Sequence, residues 1–349
     1  MRKNHLIMGL MRAYSREASV ALAAVRSASQ AALSMQRGIV ATNATSAHQK
    51  RDVSPVTVAD FMVQVLVLGS LSRAFPADKF IAEETGAELL AAGAETRASV
   101  LEAVNAHSQV DLSEADALAT LNLGISGLED SWSRTGRTWV LDPVDGTKGF
   151  LRGDQYAVAL SLLDGGEPVL GLLGCPNLEG GALFWAETGH GAHWGPTHGS
   201  QSDVFASGLD AAAISAACTP LRVSQPGVGG LVRCEAYESK HTNWGVAEAI
   251  GTKLGITQPP IRIDGQGKYG LLARGEAHVF TRLPPAGYVE KIWDVAAGAC
   301  ILTEAGGRVT DTNGAKIDFS RGAFLDTKGV VASNGAVHDR LLEALAEAT

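Results

Sequence analysis

The spacing of apolar residues changes near Thr138, and this change limits the folds open to the chain more than any other feature. Before it, apolar and small residues recur at helical spacing, as in the alanine-rich stretch from 13 to 37. After it, short β-branched and apolar runs are separated by glycines, as at Ala157 to Leu163 and Val169 to Gly174. Helices and strands then follow one another irregularly, without the strict alternation of a βαβ protein. This grouping predicts an α+β fold with helices and sheets in layers.

Local signals give the bounds of several elements. Thr57-Val58-Ala59-Asp60 has the spacing of a capping box, which predicts that a second helix begins at Thr57. Residues 86 to 121 are rich in Ala, Leu and Glu and predict one or two surface helices. The Gly- and Ser-rich stretch from 195 to 217 predicts an exposed excursion. Asp294 is expected to open a helix from Val295 to Glu304.

The length and charge of the chain exclude several classes of function. Its 349 residues are enough for two domains, which we place at residues 1–164 and 165–349. The net charge of −8 repels polyanions, so we expect no nucleic-acid polymer as a partner. The longest apolar stretch, Phe61 to Leu68, is far shorter than the roughly 20 residues of a membrane span, so we expect no membrane association.

The cysteines and the first residues bear on the cellular compartment. Cys175, Cys218, Cys234 and Cys300 lie far apart and form no C-x-x-C pair, which is typical of reduced thiols in a cytosolic protein. The first eight residues are basic but lack an apolar core and a cleavage site, so no secretory signal is expected. We predict a cytoplasmic protein. An organellar transit segment stays open, because no acidic residue precedes Glu17.

The segment from Trp139 to Phe150 carries the strongest chemical signal. A buried strand delivers Asp142 and Asp145 to its end, and Pro143 stiffens the turn between them, so that these carboxylates and the Val144 carbonyl can point into one small volume. Hard oxygen ligands of this kind suit Mg²⁺. The alternative for D-P-x-D-G-T alone is an ordinary Asx turn after a strand.

Two further acidic positions occur in similar places. Glu83 and Glu84 follow the short predicted strand Lys79 to Ala82, and Asp294 stands at the first turn of an apolar helix. Each has a plain alternative: a solvated Glu pair, and an Asp that caps a helix. The appearance of all three acidic motifs in this order favours a shared metal site.

The chain resembles the lithium-sensitive, magnesium-dependent phosphomonoesterases of the inositol monophosphatase and fructose-bisphosphatase superfamily, and within it the 3'(2'),5'-bisphosphate nucleotidases of fungal and plant type. The likeness runs from about residue 13 to 335. The matching segments are Ser54-Pro55-Val56-Thr57, Ala82-Glu83-Glu84, D-P-V-D-G-T-K-G-F-L-R-G from Asp142 to Gly153, Gly174-Cys175-Pro176-Asn177, E-K-I-W-D-V-A-A-G from Glu290 to Gly298, and Glu304-Ala305-Gly306-Gly307.

The resemblance implies a layered αβαβα sandwich, two or three Mg²⁺ ions that Mn²⁺ can replace and Li⁺ inhibits, and attack by a metal-activated water. It implies that Asp52 and Thr147 take the proton from that water, and that Asp60 lies beneath the metals. The implied metal ligands are Glu83, Asp142, the Val144 carbonyl, Asp145 and Asp294.

For the substrate, the resemblance implies adenosine 3',5'-bisphosphate, hydrolysed to AMP and phosphate, with activity on the sulfated adenylate analogue as a further expectation, and we expect a monomer. Lys268 and Arg282 would hold the second phosphate, because Arg offers a planar fork and Lys a point charge. His241 would lie near the nucleotide, and Thr147 and Asp294 would also contact the substrate. Gly265 departs from the fungal pattern, where a serine is usual, so a hydroxyl contact to the substrate is lost or replaced by a backbone N–H.

Several alternatives remain at this point. Within the same chemistry the chain could be an inositol phosphate phosphatase, and in another class a nucleotide sensor without turnover. Gly265 to Gly270 spells G-x-G-x-x-G, but the next strand ends in prolines instead of the acidic residue that binds a ribose, which argues against a dinucleotide site. His190, His193 and His198 lie in a glycine-rich loop with no Cys or acidic ligand at zinc spacing, and we expect them to be solvated.

Overall fold

A computed structural model of the chain describes residues 13–45, 55–108, 110–128, 136–178, 180–197, 210–227, 230–237, 244–285 and 287–349. In these ranges, one sheet has seven strands in the sequential order β1 to β7. The first pair is parallel and the others are antiparallel. Its strands are β1 (Lys79–Ala82), β2 (Arg137–Asp145), β3 (Ala157–Asp164), β4 (Glu167–Cys175), β5 (Ala182–Glu187), β6 (Ala192–Pro196) and β7 (Thr219–Leu221).

A second sheet in the described part of the chain has five strands in the order β11-β12-β10-β8-β9. These are β8 (Arg233–Glu235), β9 (Ile261–Arg262), β10 (Val279–Arg282), β11 (Arg308–Asp311) and β12 (Val330–Ser333). The helices are α1 (Ser15–Thr45), α2 (Pro55–Ala74), α3 (Gly86–Ala91), α4 (Ala94–His107), α5 (Glu114–Leu123), α6 (Thr147–Arg152), α7 (Ala211–Ala217), α8 (Trp244–Leu254), α9 (Gly267–Ala273), α10 (Ala296–Glu304) and α11 (His338–Ala348), with a short 3-10 helix at Ile292–Asp294.

The elements stack as five layers. Helices α1 and α2 cover one face of the first sheet, and α9 and α10 fill the space between the two sheets. Helices α8 and α11 cover the outer face of the second sheet. The predicted α+β fold and the αβαβα order of layers are therefore confirmed.

Strand β3 shows why the sheet residues are apolar on both sides. Val158, Leu160 and Leu162 point to the core beneath α1 and α2, whereas Ala157 and Ala159 point to the core beneath α9 and α10. Because successive side chains of a strand face opposite sides, a sheet between two helix layers needs an unbroken apolar run. This arrangement explains the continuous apolar runs after Thr138.

Two predicted helix bounds were wrong. Helix α2 begins at Pro55, and Thr57 already lies inside its first turn, so the predicted capping box does not form. Proline suits this first position because its missing N–H has no partner there in any case. Gly38 follows the helical stretch 13 to 37 and predicts its end, but α1 runs through it to Thr45, because Gly38 is not among the glycines with the positive φ that a glycine C-cap adopts.

Other element predictions were too coarse. Residues 86 to 121 form α3, α4 and the greater part of α5 in the described structure, because Thr85 and Ser113 each start a separate helix with a capping box. The stretch from 195 to 217 includes the end of β6 and all of α7, besides residues 198–209, which lie outside the described residues. Asp294 ends a 3-10 helix instead of opening α10, which starts at Ala296.

Two organisational expectations can be compared with the fold. The boundary predicted at residue 164 falls in the turn between β3 and β4, which are hydrogen-bonded neighbours within the first sheet. Among the described strands, the change from the first sheet to the second comes between β7 and β8. The division into two domains stays a prediction.

Among the described helices, α2 has one stretch, Thr57–Ala74, that is long and apolar enough to cross a membrane, but 67% of it is buried inside the protein.

Candidate active site

The acidic residues meet where β1 and β2 end. These strands run parallel, with Ala82 opposite Leu141, so the next residues, Glu83 and Asp142, emerge side by side at the same edge of the sheet. Parallel strands bring their carboxyl ends together, which is why residues 59 positions apart in sequence share one site.

A bulge in β2 shapes the turn that carries the second carboxylate. Asp142 pairs with Ala159 and Asp145 pairs with Ala157, so β2 holds one more residue than β3 over this interval. Such a bulge re-aims the side chains around it. The Val144 carbonyl accepts a hydrogen bond of 3.4 Å from the Thr147 hydroxyl, and both residues line the same cleft.

The 3-10 helix brings Asp294 to these residues. One carboxylate oxygen each of Asp142, Asp145 and Asp294 lies within 4.8 Å of the other two. Glu83 lies outside this group of three but lines the same cleft. In the described part of the chain, the side chains that lie close enough to share a cation are therefore these three aspartates. The group contains no histidine, so it does not include His190 or His193.

The site has the properties of a centre for a divalent cation. Asp142 is 2% exposed, and its Oδ1 is buried with no hydrogen-bond partner in the structure. A buried unpaired carboxylate oxygen is costly, and a cation removes that cost. Burial first, and the neighbouring Glu83 second, raise the pKa of Asp142 well above its ordinary value. The donors are carboxylate oxygens together with a backbone carbonyl, which fit a hard cation such as Mg²⁺.

The other carboxylates titrate in the same direction. Loss of hydration, then the charge of Asp294, raise the pKa of Glu83 to about 8. The same two causes raise the pKa of Asp145 to about 6, against the opposing effect of Lys268. A group of acids with raised pKa values lacks compensating positive charge, which bound cations would supply.

Asp60 and Glu84 form a second acidic layer beside the site. Asp60 is buried, and its burial followed by the charge of Glu84 raises its pKa well above the ordinary range. The side chain of Gln64 accepts a hydrogen bond from the Glu84 N–H at 3.0 Å and donates one to the Glu84 carbonyl. Gln64 thereby holds the backbone next to Glu83. This role of Gln64 could not be predicted from the sequence, because a Gln within an apolar helix gives no signal of what it faces.

The carboxylates of Glu83, Asp142, Asp145 and Asp294 line a cleft of about 400 Å³ that also contains basic residues. Arg282 is not isolated in it: its Nε donates to both carboxylate oxygens of Glu290 at 2.8 and 2.9 Å, and its Nη2 donates to Asp294 at 2.9 Å. Desolvation opposes the charge of Arg282, but the adjacent Asp294 and Glu290 more than offset it and raise the pKa of the guanidinium. Arg282 lies at the cleft as predicted, and there it positions Asp294.

Lys268 is buried beneath the loop that precedes α9. Its Nζ donates to the carbonyls of Ile263 at 3.0 Å and Gly265 at 2.7 Å, and lies over the ring of Phe280. Burial lowers its pKa, although Asp145 acts in the opposite sense. Two of the three ammonium N–H bonds are thus used inside the protein, and the third can be offered to a phosphate in the cleft.

The loop conformation explains why Gly265 departs from the fungal pattern. Its φ is +68°, and a Cβ placed there would lie 2.4 Å from the carbonyl oxygen of Asp145. A serine would be strained and would overlap that carbonyl. The glycine therefore allows the loop before α9 to pack directly against the loop that carries Asp145.

Gln266 is a second residue of the site whose role the sequence did not predict. Its backbone N–H donates to Asp145 Oδ2 at 2.6 Å, its side-chain nitrogen donates to the Trp293 carbonyl at 2.8 Å, and its side-chain oxygen accepts from Gly298 N–H at 3.0 Å. Gln266 is one of the variable positions of the G-x-G-x-x-G pattern, and that pattern gives no signal of these contacts.

Two predicted site residues, Asp52 and His241, lie outside the described residues.

Comparison with known proteins agrees with this geometry. The model of the inositol monophosphatase family matches residues 15–349. The chain belongs to the inositol monophosphatase family. Members of curated function include a rice (Oryza sativa) 3'(2'),5'-bisphosphate nucleotidase, 40% identical over 96% of this chain and 95% of that protein. An Emericella nidulans 3'(2'),5'-bisphosphate nucleotidase is 36% identical over 95% of this chain and 98% of that protein.

Solved structures of other proteins share the fold. CysQ from Bacteroides thetaiotaomicron superposes with a TM-score of 0.61 at 17% identity, over 92% of this chain and 98% of that one. SuhB from Mycobacterium tuberculosis gives a TM-score of 0.58 at 21% identity, over 96% of this chain and 97% of that one. At such identities the likeness bears on the fold alone.

Proposed function

We propose that this chain is a metal-dependent phosphatase that hydrolyses adenosine 3',5'-bisphosphate to AMP and phosphate. One observation carries the proposal: Asp142, which has a buried and unpaired oxygen, lines the same 400 Å³ cleft as Asp145, Asp294 and Lys268. A cation centre and a separate basic group in one cleft suit a substrate with one phosphate to cleave and another to hold. The names of the rice and Emericella relatives support this substrate.

The residues of the chain divide the work of hydrolysis. Asp142, Asp145, Asp294, Glu83 and the Val144 carbonyl would hold the cations. Bound there, divalent cations would lower the pKa of the attacking water and screen the phosphoryl oxygens. The Thr147 hydroxyl, which donates to the Val144 carbonyl, can accept a hydrogen bond from a water on the cleft side and so orient that water. We propose that the Asp52 carboxylate takes the proton of this water.

Lys268 and Arg282 would have different parts in binding. Lys268 would donate its third N–H to the phosphate that does not react. Arg282 would hold Asp294 in place through the contact described above, and through it act on the metal site. We propose Mg²⁺ as the working cation because the ligands are all oxygens, with Mn²⁺ able to replace it and Li⁺ inhibitory.

The same proposal extends to the setting of the enzyme. All four cysteines are buried and unpaired, which supports a reducing, cytoplasmic location. We propose a monomer, and hydrolysis of the sulfated adenylate as a secondary activity.

Release of phosphate from a panel of substrates tests the function. We expect adenosine 3',5'-bisphosphate to be hydrolysed fastest, only with a divalent cation present, and to yield AMP. Asp145→Asn should lower kcat by several orders of magnitude, with the unfolding midpoint retained. Asp326→Asn, which alters an aspartate outside the cleft, is the matched control and should leave kcat unchanged. An active Asp145→Asn enzyme would contradict the proposed metal site, and a chain that binds the nucleotide without turnover would be a sensor.

One observation favours a second candidate, an inositol phosphate phosphatase. Arg282 is engaged by Glu290 and Asp294, so the cleft offers less positive charge to a second phosphate than the sequence predicts. Inositol monophosphates and polyphosphates therefore belong in the panel. A strong preference for them over the adenosine bisphosphate would establish this alternative.

A further inference from the structure

The side chain of Gln266 bridges the two ends of the segment that carries Asp294. Trp293 precedes Asp294 and Gly298 follows it by four residues, and the Gln266 amide donates to the Trp293 carbonyl and accepts from the Gly298 N–H. Gln266 is 2% exposed, so neither contact can be replaced by bulk water. The partner types determine the orientation of the amide, since the carbonyl requires the nitrogen and the N–H requires the oxygen.

This bridge compensates for a missing helix cap. Helix α10 starts at Ala296 with Val295 as its N-cap residue, and valine provides no side-chain hydrogen bond. Gly298 is the third residue of the helix. An N-cap side chain ordinarily accepts a hydrogen bond from the N–H at this position. Gln266 supplies that acceptor from a different part of the chain. The ring of Tyr269 lies against Gly298, where a Cβ would be 2.2 Å from it, so the two segments are in close contact.

The same residue also contacts the other side of the acidic group. The backbone N–H of Gln266 donates to Asp145 Oδ2 at 2.6 Å, while its side chain holds the segment of Asp294. Gln266 lies between Gly265 and Lys268, two of the predicted substrate-binding residues, and residues 264–268 are called the proposed substrate loop below. Gln266 therefore joins the proposed substrate loop to two of the three clustered carboxylates, Asp145 and Asp294.

We infer that Gln266 is a positioning residue for the metal centre: its side-chain amide sets the place of Asp294 relative to Asp145 and to the substrate loop. The inference rests on the proposed function in that these carboxylates are taken as the cation ligands. Loss of a partner that orients a ligand typically weakens metal binding by about 10- to 100-fold. Gln266→Met keeps the length of the side chain and removes both hydrogen bonds, so it should weaken the site without creating a cavity.

Binding of Mn²⁺ alone, followed by electron paramagnetic resonance, tests the inference without using turnover. We expect Gln266→Met to raise the Mn²⁺ dissociation constant by about 10-fold or more. The matched control is Asn334→Leu, because Asn334 is also buried and its amide also bridges two backbone groups, Ser224 O and Val337 N–H. We expect Asn334→Leu to lower the unfolding midpoint and to leave the Mn²⁺ dissociation constant within about twofold.

The outcomes separate this inference from the proposed function. A Gln266→Met protein that binds Mn²⁺ within twofold of the unmodified chain overturns the positioning role, whether or not its unfolding midpoint falls. If Gln266→Met does not fold, Gln266→Asn is measured in its place, and the same twofold limit applies because the shorter amide cannot reach both partners. An unmodified chain that binds no Mn²⁺ overturns the proposed metal centre itself.

Discussion

Replacement of Gly265 tests directly how closely the proposed substrate loop packs against the loop that carries Asp145. Gly265→Ser introduces the residue usual in the fungal pattern into a backbone with φ of +68°. An L residue in this left-handed region costs about 1–2 kcal/mol. Its Cβ would lie 2.4 Å from the Asp145 carbonyl oxygen, so that oxygen must move by at least about 0.6 Å to reach the 3.0 Å below which Cβ contacts essentially never occur.

Movement of the Asp145 backbone should be visible in turnover. A misplacement of about 1 Å in a reacting group can lower a rate by about 100-fold, so we expect Gly265→Ser and Gly265→Ala to reduce kcat by about 10- to 100-fold. We expect the free energy of unfolding to fall by about 2 kcal/mol. The assays are phosphate release at saturating substrate and Mg²⁺, and unfolding in denaturant.

Gly255→Ala separates strain from overlap. Gly255 has a φ of +70°, nearly that of Gly265, but a Cβ there would meet no atom within 4 Å. We expect this variant to lose about 1 kcal/mol of stability and to keep the kcat of the unmodified chain. Gly265→Ser with the unmodified kcat would refute the packing argument, and a lower KM in that variant would mean that the hydroxyl contact of the fungal pattern can be restored.

Three other predictions follow from the charges of the cleft. Because the pKa of Glu83 is raised to about 8 and that of Asp145 to about 6, the folded chain holds these protons where the unfolded chain has lost them. For protein freed of divalent cations by a chelator, the free energy of unfolding should therefore fall as the pH rises from about 4 to about 8, and Mg²⁺ should restore it at pH 8. Thermal unfolding midpoints measure this effect. A midpoint that rises over this pH range would contradict the raised pKa values. Lys268→Met should raise KM for the adenosine bisphosphate about tenfold with little change in kcat, since a hydrogen bond to a charged group contributes about 1.5 kcal/mol, and a fall in kcat alone would exclude its role with the remote phosphate. Arg282→Met should lower the free energy of unfolding by about 3–5 kcal/mol because it leaves the fully buried Glu290 without its partner; the further change Glu290→Gln should recover most of this loss in the same denaturant assay.

The sequence carried the acidic motifs but not their mutual arrangement. Asp142 and Asp145 stand close together in an apolar run, and their place at the end of a strand could be predicted from that run alone. Glu83 and Asp294 are separated by 211 residues, and only the parallel pairing of β1 with β2 and the packing of the 3-10 helix bring them to one cleft. Helix starts were the weakest predictions, because Thr57 and Asp294 carry local capping signals that the neighbouring residues override.

Polar side chains inside the protein were the least predictable part of the site. Gln64 and Gln266 look like ordinary residues of a helix and a loop, and their importance comes from the backbone groups that they reach. Arg282 looked like a free cation for a phosphate, whereas its contacts with Glu290 and Asp294 depend on a strand and a 3-10 helix that meet only in the folded chain.

By itself, the sequence determined the layered α+β class, the family and the chemical type of the site, because apolar periodicity and short acidic motifs are local properties of the chain. Tertiary structure alone decided which acids share the cleft, why glycine fits the backbone at position 265, and which amides hold the acidic segments in place. These features depend on distances of a few ångströms between segments far apart in sequence, and no local pattern encodes such distances.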